Sequence, residues 1–121
     1  MSSRASRGAL GEEAAAQLYE ERGFRVIARN HRTRLGEVDL IADDGKLLAF
    51  VEVRTRATAA FGPPAGTVDL AKQRRFTLAA RDFLSRWEGG EREVRFDVVS
   101  VIDGERGLEV TLIANAFDAA E

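Results

Sequence analysis

An α/β fold, with a mixed β-sheet flanked by helices, follows from three features of this sequence. Two apolar runs carrying acids, Glu37-Val38-Asp39-Leu40-Ile41 and Phe50-Val51-Glu52-Val53-Arg54, stand on either side of Asp43-Asp44-Gly45-Lys46, a turn-forming tetrad, and predict a hairpin. From Val68 to Trp87 apolar residues recur at helical spacing, so a long helix should follow the hairpin. Beyond it lie two further strand-like runs, Val94 to Ile102 and Leu108 to Ile113. A helical crossover of that length allows the strands before and after it to lie parallel in one sheet.

The elements can be justified in chain order. Residues 1–7 are small, polar and basic, and residues 1–8 are expected to form a flexible tail ahead of a single domain spanning 9–121. From Ala9 to Arg22, Leu10, Ala14, Ala15, Leu18 and Tyr19 recur at helical spacing, and Gly23 suits a left-handed C-terminal stop. Phe24 to Ala28 predicts an edge or first strand, and Arg29 to Arg34 a polar connection into the hairpin. After Arg56 the composition turns to Ala, Thr, Gly and Pro as far as Gly66, an extended loop in which Pro63-Pro64 prevents a helix. Phe61-Gly62-Pro63-Pro64 within it suits either a flap over a groove or a dimer contact. In the long helix Phe76, Ala79, Ala80, Phe83, Leu84 and Trp87 share a face, Asp69 lies at its start, and Gly89-Gly90 ends it. Asp103 to Gly107 is rich in turn formers and joins the last two strands.

Composition narrows the function classes. A chain of 121 residues with 45% hydrophobic side chains has enough apolar material for one core. It has no cysteine, which excludes a disulfide framework and thiolate zinc, and the single His31 cannot build a histidine metal cluster. No segment approaches the roughly 20 apolar residues of a membrane span, and the first residues lack the apolar centre of a signal peptide, so a cytoplasmic protein without membrane contact is expected. The net charge is −2, yet Arg22, Arg25, Arg29, Arg32 and Arg34 form one acid-free basic stretch, and Lys72, Arg74, Arg75 and Arg81 form another. Such stretches could meet phosphates or simply be solvated faces paired with neighbouring glutamates.

The acids inside the two apolar runs carry the chemical signal. An ionised carboxylate among Val, Leu and Ile is costly unless something compensates its desolvation, and a divalent cation would. The turn between the runs brings Asp39 towards Glu52 across the hairpin. Strand alternation puts Glu37 with Asp39, and Glu52 with Arg54. Mg²⁺ or Mn²⁺ accepts carboxylate and carbonyl oxygens while retaining waters, which makes metal-assisted phosphodiester chemistry a candidate activity. The rival reading makes Asp39 and Glu52 half-exposed strand residues paired with Arg54 and Arg56. Glu12 and Glu13 can likewise be explained as first-turn acids facing a helix dipole, Glu37 either faces the site or caps the hairpin, and Arg95 and Asp97 suit an ion pair better than a substrate surface.

Asp39 followed by Glu52-Val53-Arg54 resembles the signature of the PD-(D/E)XK, restriction-endonuclease-like nucleases. A longer ordered series is more specific: Gly8, Glu12, Ala15, Gly23, Arg29-Asn30, Gly36-Glu37-Val38-Asp39-Leu40-Ile41, Phe50-Val51-Glu52-Val53-Arg54, Arg56, Phe61-Gly62, Lys72, Arg95-Phe96-Asp97-Val98-Val99 and Asn115-Ala116-Phe117. Over nearly the whole chain this resembles the YraN family of small bacterial proteins, commonly placed in that nuclease superfamily near Holliday-junction resolvases. The resemblance implies a restriction-endonuclease-like sheet in a single nuclease-like domain. It also implies a Mg²⁺ or Mn²⁺ site lined by Asp39, Glu52, Glu12 and the Val53 carbonyl. Arg54 stands at the catalytic lysine position, where it can clamp a phosphate or orient water but cannot act as a general base. Lys72 matches a basic position that could partly replace that lysine, and Arg56, Lys72 and Arg34 are the candidate substrate-binding residues. The expected activity is metal-dependent endonucleolytic hydrolysis of DNA, with branched or structured DNA as a candidate substrate. The alternatives are a nucleic-acid-binding module without turnover and an interaction protein with vestigial carboxylates. Symmetric cutting of a junction would require a homodimer.

Overall fold

The computed structural model describes residues 4–57 and 68–120, with side chains from Arg7 onward. Its elements run α1 (Arg4–Glu21), β1 (Arg25–Arg32), β2 (Glu37–Asp43), β3 (Leu47–Arg56), α2 (Leu70–Ser85), β4 (Glu93–Gly104) and β5 (Gly107–Ile113). One sheet contains all five strands in sequence order, antiparallel except for β3 and β4. These two pair in parallel from Leu47↔Glu93 to Arg56↔Ile102, as the crossover through α2 requires. The extended loop expected after Arg56, with Phe61-Gly62-Pro63-Pro64, falls on 58–67, outside the described residues.

Local chemistry explains the turns and caps. Gly45 adopts a φ of 94° in the β2–β3 turn, which a side chain would resist. The Asp43 carboxylate accepts from the Gly45 N–H, and the Asp44 carboxylate accepts from the N–H groups of Lys46 and Leu47. Asp69 caps α2 by accepting from the Lys72 N–H, satisfying one donor that the first helical turn leaves open.

The helices cover opposite faces of the sheet. On the α1 side, Ala15, Ala16 and Tyr19 are buried against Leu40, Ala42, Val51, Val99 and Val101. On the other side Phe76, Ala79 and Ala80 of α2 meet Val38, Ile41, Leu48, Phe50 and Phe96. The neighbours Phe50 and Val51 face opposite clusters, as strand alternation demands. Phe83, Leu84, Trp87 and Phe117 pack, partly buried, around the α2 cluster, so these apolar side chains serve the core. No helix among the described residues is long and apolar enough to cross a membrane.

Three expectations change. Helix α1 begins at Arg4, not Ala9, because nothing between Arg4 and Gly8 prohibits helix. Its buried stripe is Gly11, Ala15, Ala16 and Tyr19, while Leu10 is exposed. Gly11 permits this close approach, since a Cβ there would collide with the Thr55 side chain of β3. The polar Arg29 to Arg32 segment is not a connection but the second half of β1, since its backbone pairs with β2 as far as Arg32↔Glu37. Edge-strand pairing uses main-chain groups, and polar side chains do not forbid it.

Candidate metal and phosphate site

The pairing of β2 with β3 runs from Asp43↔Leu48 to Leu40↔Val51 and stops there. One step further, at Asp39 and Glu52, the strands no longer pair through their backbones, and the Asp39 carboxylate accepts from the Val53 N–H at 2.7 Å. A side chain therefore substitutes for the missing ladder partner. In an extended strand a residue's N–H and C=O point to the same edge, so the Val53 carbonyl faces the same gap.

An irregularity in β2 helps to place Asp39. Val38 belongs to the core on the α2 side and Leu40 to the core on the α1 side, although residues two apart in a regular strand share a face. On the paired edge strand Asn30, between Arg29 and His31, has a φ of 50°, in the left-handed region that asparagine tolerates better than most residues. The alternation breaks at Asp39.

Asp39 and Glu52 line one cavity of about 460 Å³ together with Arg32, Thr33, Arg34, Leu35, Gly36, Glu37, Lys72, Arg75 and Phe76. Glu52 is only 7% exposed, and its Oε1 lies 2.6 Å from the Lys72 Nζ, the lysine reaching across from the first turn of α2. Burial pushes the Asp39 carboxyl up to about 7, and the nearby Glu52 charge adds to the rise. Glu37 and Glu12 reinforce it more weakly, while the Val53 N–H opposes it. Asp39 thus sits buried among other carboxylates, and burial contributes more than their charge to holding its proton.

The remaining sequence-derived candidates divide. Lys72 and Arg34 line the cavity with Asp39 and Glu52, whereas Arg54 and Arg56 do not. Arg54 continues the Glu52 face of β3, and its guanidinium is held below its ordinary value by partial burial and by Arg56, with Glu52 opposing. Glu12 lines a second cavity, of about 360 Å³, with Arg7, Gly8, Asp39, Val53 and Thr55. Because α1 starts at Arg4, Glu12 and Glu13 lie in mid-helix, so the first-turn dipole explanation fails. Glu13 instead pairs with Arg29 at 2.9 Å. Glu37 faces the larger cavity and pairs with Arg32 at 3.3 Å.

Arg95 and Asp97 form the expected ion pair, with two bonds of 2.8 Å. Asp97 is fully buried and also accepts from the Tyr19 hydroxyl at 2.7 Å and the Asn115 N–H at 2.9 Å. This network belongs to the core. Sequence reasoning missed the Thr33 to Gly36 turn as a wall of the site. Its signal was Thr33 three residues before Gly36, a pattern in which the hydroxyl can bond forward to the backbone.

Among the described residues no three carboxylate or histidine side chains are grouped closely enough to cage an ion. The donor set is smaller and suits a hard cation that keeps most of its waters: two carboxylates and a backbone carbonyl. The raised Asp39 carboxyl is the property that fits such an ion, since a bound cation would offset the desolvation and the like charge that keep it protonated.

Fold and site together define an α/β protein with a paired-carboxylate, lysine-flanked cleft. The model of the uncharacterised protein family UPF0102 matches residues 11–101, and the chain belongs to that YraN-like family. A UPF0102 protein of Anaeromyxobacter dehalogenans is 49% identical over 111 residues, covering 92% of this chain and 83% of the relative. A UPF0102 protein of Symbiobacterium thermophilum is 49% identical over 113 residues, covering 93% and 96% respectively. One from Alkaliphilus metalliredigens is 41% identical over 112 residues, covering 93% and 97%.

Proposed function

We propose that this chain is a divalent-cation-dependent nuclease that hydrolyses phosphodiester bonds, with DNA as its substrate. The observation that carries the reading is the apposition of Asp39 and Glu52 at the point where β2 leaves β3, with the Asp39 carboxyl pushed up to about 7. A structural carboxylate would have its charge met by donors, whereas here the surroundings oppose that charge. Asp39, Glu52 and the Val53 carbonyl would hold Mg²⁺ or Mn²⁺, and Glu12 would act on Asp39 from the α1 side. The ion, when bound, would acidify a water and offset charge on a phosphoryl oxygen.

The protein's own cations have separate tasks in this reading. Lys72 already reaches Glu52 and is placed to meet a phosphate oxygen once that carboxylate turns to the ion. Arg34 lines the same cavity and binds the strand backbone. Arg54 and Arg56 extend the basic surface along β3. Arg54 holds its proton at neutral pH, so proton removal from water does not fall to it.

Calorimetric titration with Mn²⁺ and cleavage of linear and branched DNA test the reading together. The parent should bind the ion and cut, and Asp39→Ala should lose both, with cleavage falling at least about a hundredfold if the carboxylate supports metal catalysis. An Asp39→Ala protein that cuts as well as the parent would reject the assignment. The arginine at position 54, where the nuclease signature has lysine, favours one second reading, a nucleic-acid-binding module without turnover. Arg54→Lys separates the two: cleavage gained only in that variant would make the natural chain a binder.

A further inference from the structure

The β1–β2 turn presents a leucine to solvent at the mouth of the cleft. Leu35 is 60% exposed and lines the same cavity as Asp39 and Glu52. An exposed leucine is unremarked on a mobile loop, but this turn is built. The Thr33 hydroxyl oxygen accepts from the N–H groups of Leu35 and Gly36, at 3.0 and 3.1 Å, and the Thr33 N–H donates to the Gly36 carbonyl at 2.8 Å. Gly36 also lies so close to α2 that a Cβ there would collide with the Arg75 carbonyl, so the turn is seated against the helix that carries Lys72.

Charge surrounds this apolar tip. Arg34 immediately precedes Leu35 and is exposed, while Arg75 and Lys72 face the cavity from α2. The cavity also holds the acids Glu37, Asp39 and Glu52, and Arg32 and Lys72 pair with two of them, so the basic charge beside the tip is that of Arg34 and Arg75. This suits a polyanion with apolar base faces better than an apolar partner protein. Arginines and lysines hold phosphates, and an aliphatic side chain among them can insert where a base has left the stack.

Building on the nuclease reading, we infer that Leu35 is a wedge that packs against an unstacked base beside the bound phosphate, selecting nucleic acid whose stacking is locally interrupted. Insertion into perfectly stacked duplex would have to separate two bases at a cost of a few kcal/mol per step, whereas an unpaired nucleotide has already lost most of that stabilisation. Leu35 is thus a specificity-determining residue, and Arg34 supplies attraction that does not depend on base pairing.

The test measures binding in EDTA, with a fully paired DNA duplex and the same duplex carrying one unpaired fluorescent aminopurine. The parent should favour the second duplex, with a change in aminopurine emission. In Leu35→Ala the ratio of the two affinities should fall roughly tenfold, as expected for an apolar side chain losing its burial, with the emission change lost. Arg34→Ala should weaken both complexes and preserve the ratio. A parent with no preference, or a Leu35→Ala protein that keeps the parent's ratio, overturns the wedge while metal-dependent cleavage by the parent leaves the nuclease reading standing. A parent that binds neither duplex at low salt overturns the wedge, and one that also fails to cut DNA with Mn²⁺ overturns both. A Leu35→Ala change that turns a dimer into a monomer, read by size-exclusion chromatography, assigns the leucine to a contact between copies and overturns the wedge.

Discussion

Two carboxylates on this sheet, Asp97 and Asp39, live under opposite electrostatic regimes. Asp97 is fully buried, yet its oxygens receive two bonds from Arg95, one from Tyr19 and one from the Asn115 backbone. Asp39 is less buried and receives the Val53 N–H, while Glu52, Glu37 and Glu12 crowd it with like charge. Depth of burial does not separate these two acids. The separation lies in whether the surroundings supply donors or more negative charge.

The largest effect expected from this contrast is at Asp97. Asp97→Ala leaves Arg95 without its partner and should cost roughly 3–5 kcal/mol, read by urea denaturation. A smaller change would mean that Arg95 reaches water freely and that the network is dispensable. Tyr19→Phe removes one donor from the same carboxylate and should cost about 1–2 kcal/mol by the same measurement.

At Asp39 the expected sign reverses. Its carboxyl holds a proton in the folded state up to about 7, whereas in the unfolded chain it releases it near pH 4. Between those values the folded protein binds more protons, so this group makes stability fall as pH rises from about 4 to about 7, and level off above. Without metal, Asp39→Asn should therefore equal or exceed the parent in stability at pH 8 and lose that component of the pH dependence. Thermal melts across pH check both statements, and a parent whose stability rises through the window would contradict the crowding at Asp39. Added Mn²⁺ should stabilise the parent more at pH 8 than at pH 6, because the ion competes with the proton.

The sequence disclosed this contrast unevenly. The hairpin was readable because its information is local: Asp43 to Lys46 bends the chain, and the register of the pairing that follows brings Asp39 opposite Glu52. The parallel partnership of β3 with β4 followed from the length of the helical crossover. The Arg95–Asp97 pair was also local, two residues apart on one strand, but Tyr19 lies 78 residues from Asp97 and no sequence pattern joins them. Helical spacing placed Lys72 on α2 without revealing that it reaches Glu52, since that depends on how α2 packs. The start of α1 and the second half of β1 were misread because Arg4 to Gly8 and Arg29 to Arg32 carry no apolar repeat, and hydrophobic periodicity reports burial rather than backbone pairing. The break in alternation at Asp39 left no trace in residue type.

That break has a consequence for how the two faces of the sheet communicate. Asp39 lines the cavity beneath α2 and also the cavity shared with Glu12 beneath α1. One carboxyl group thus borders both spaces, and a change on the rear helix would be felt at the front without any contact with what binds there.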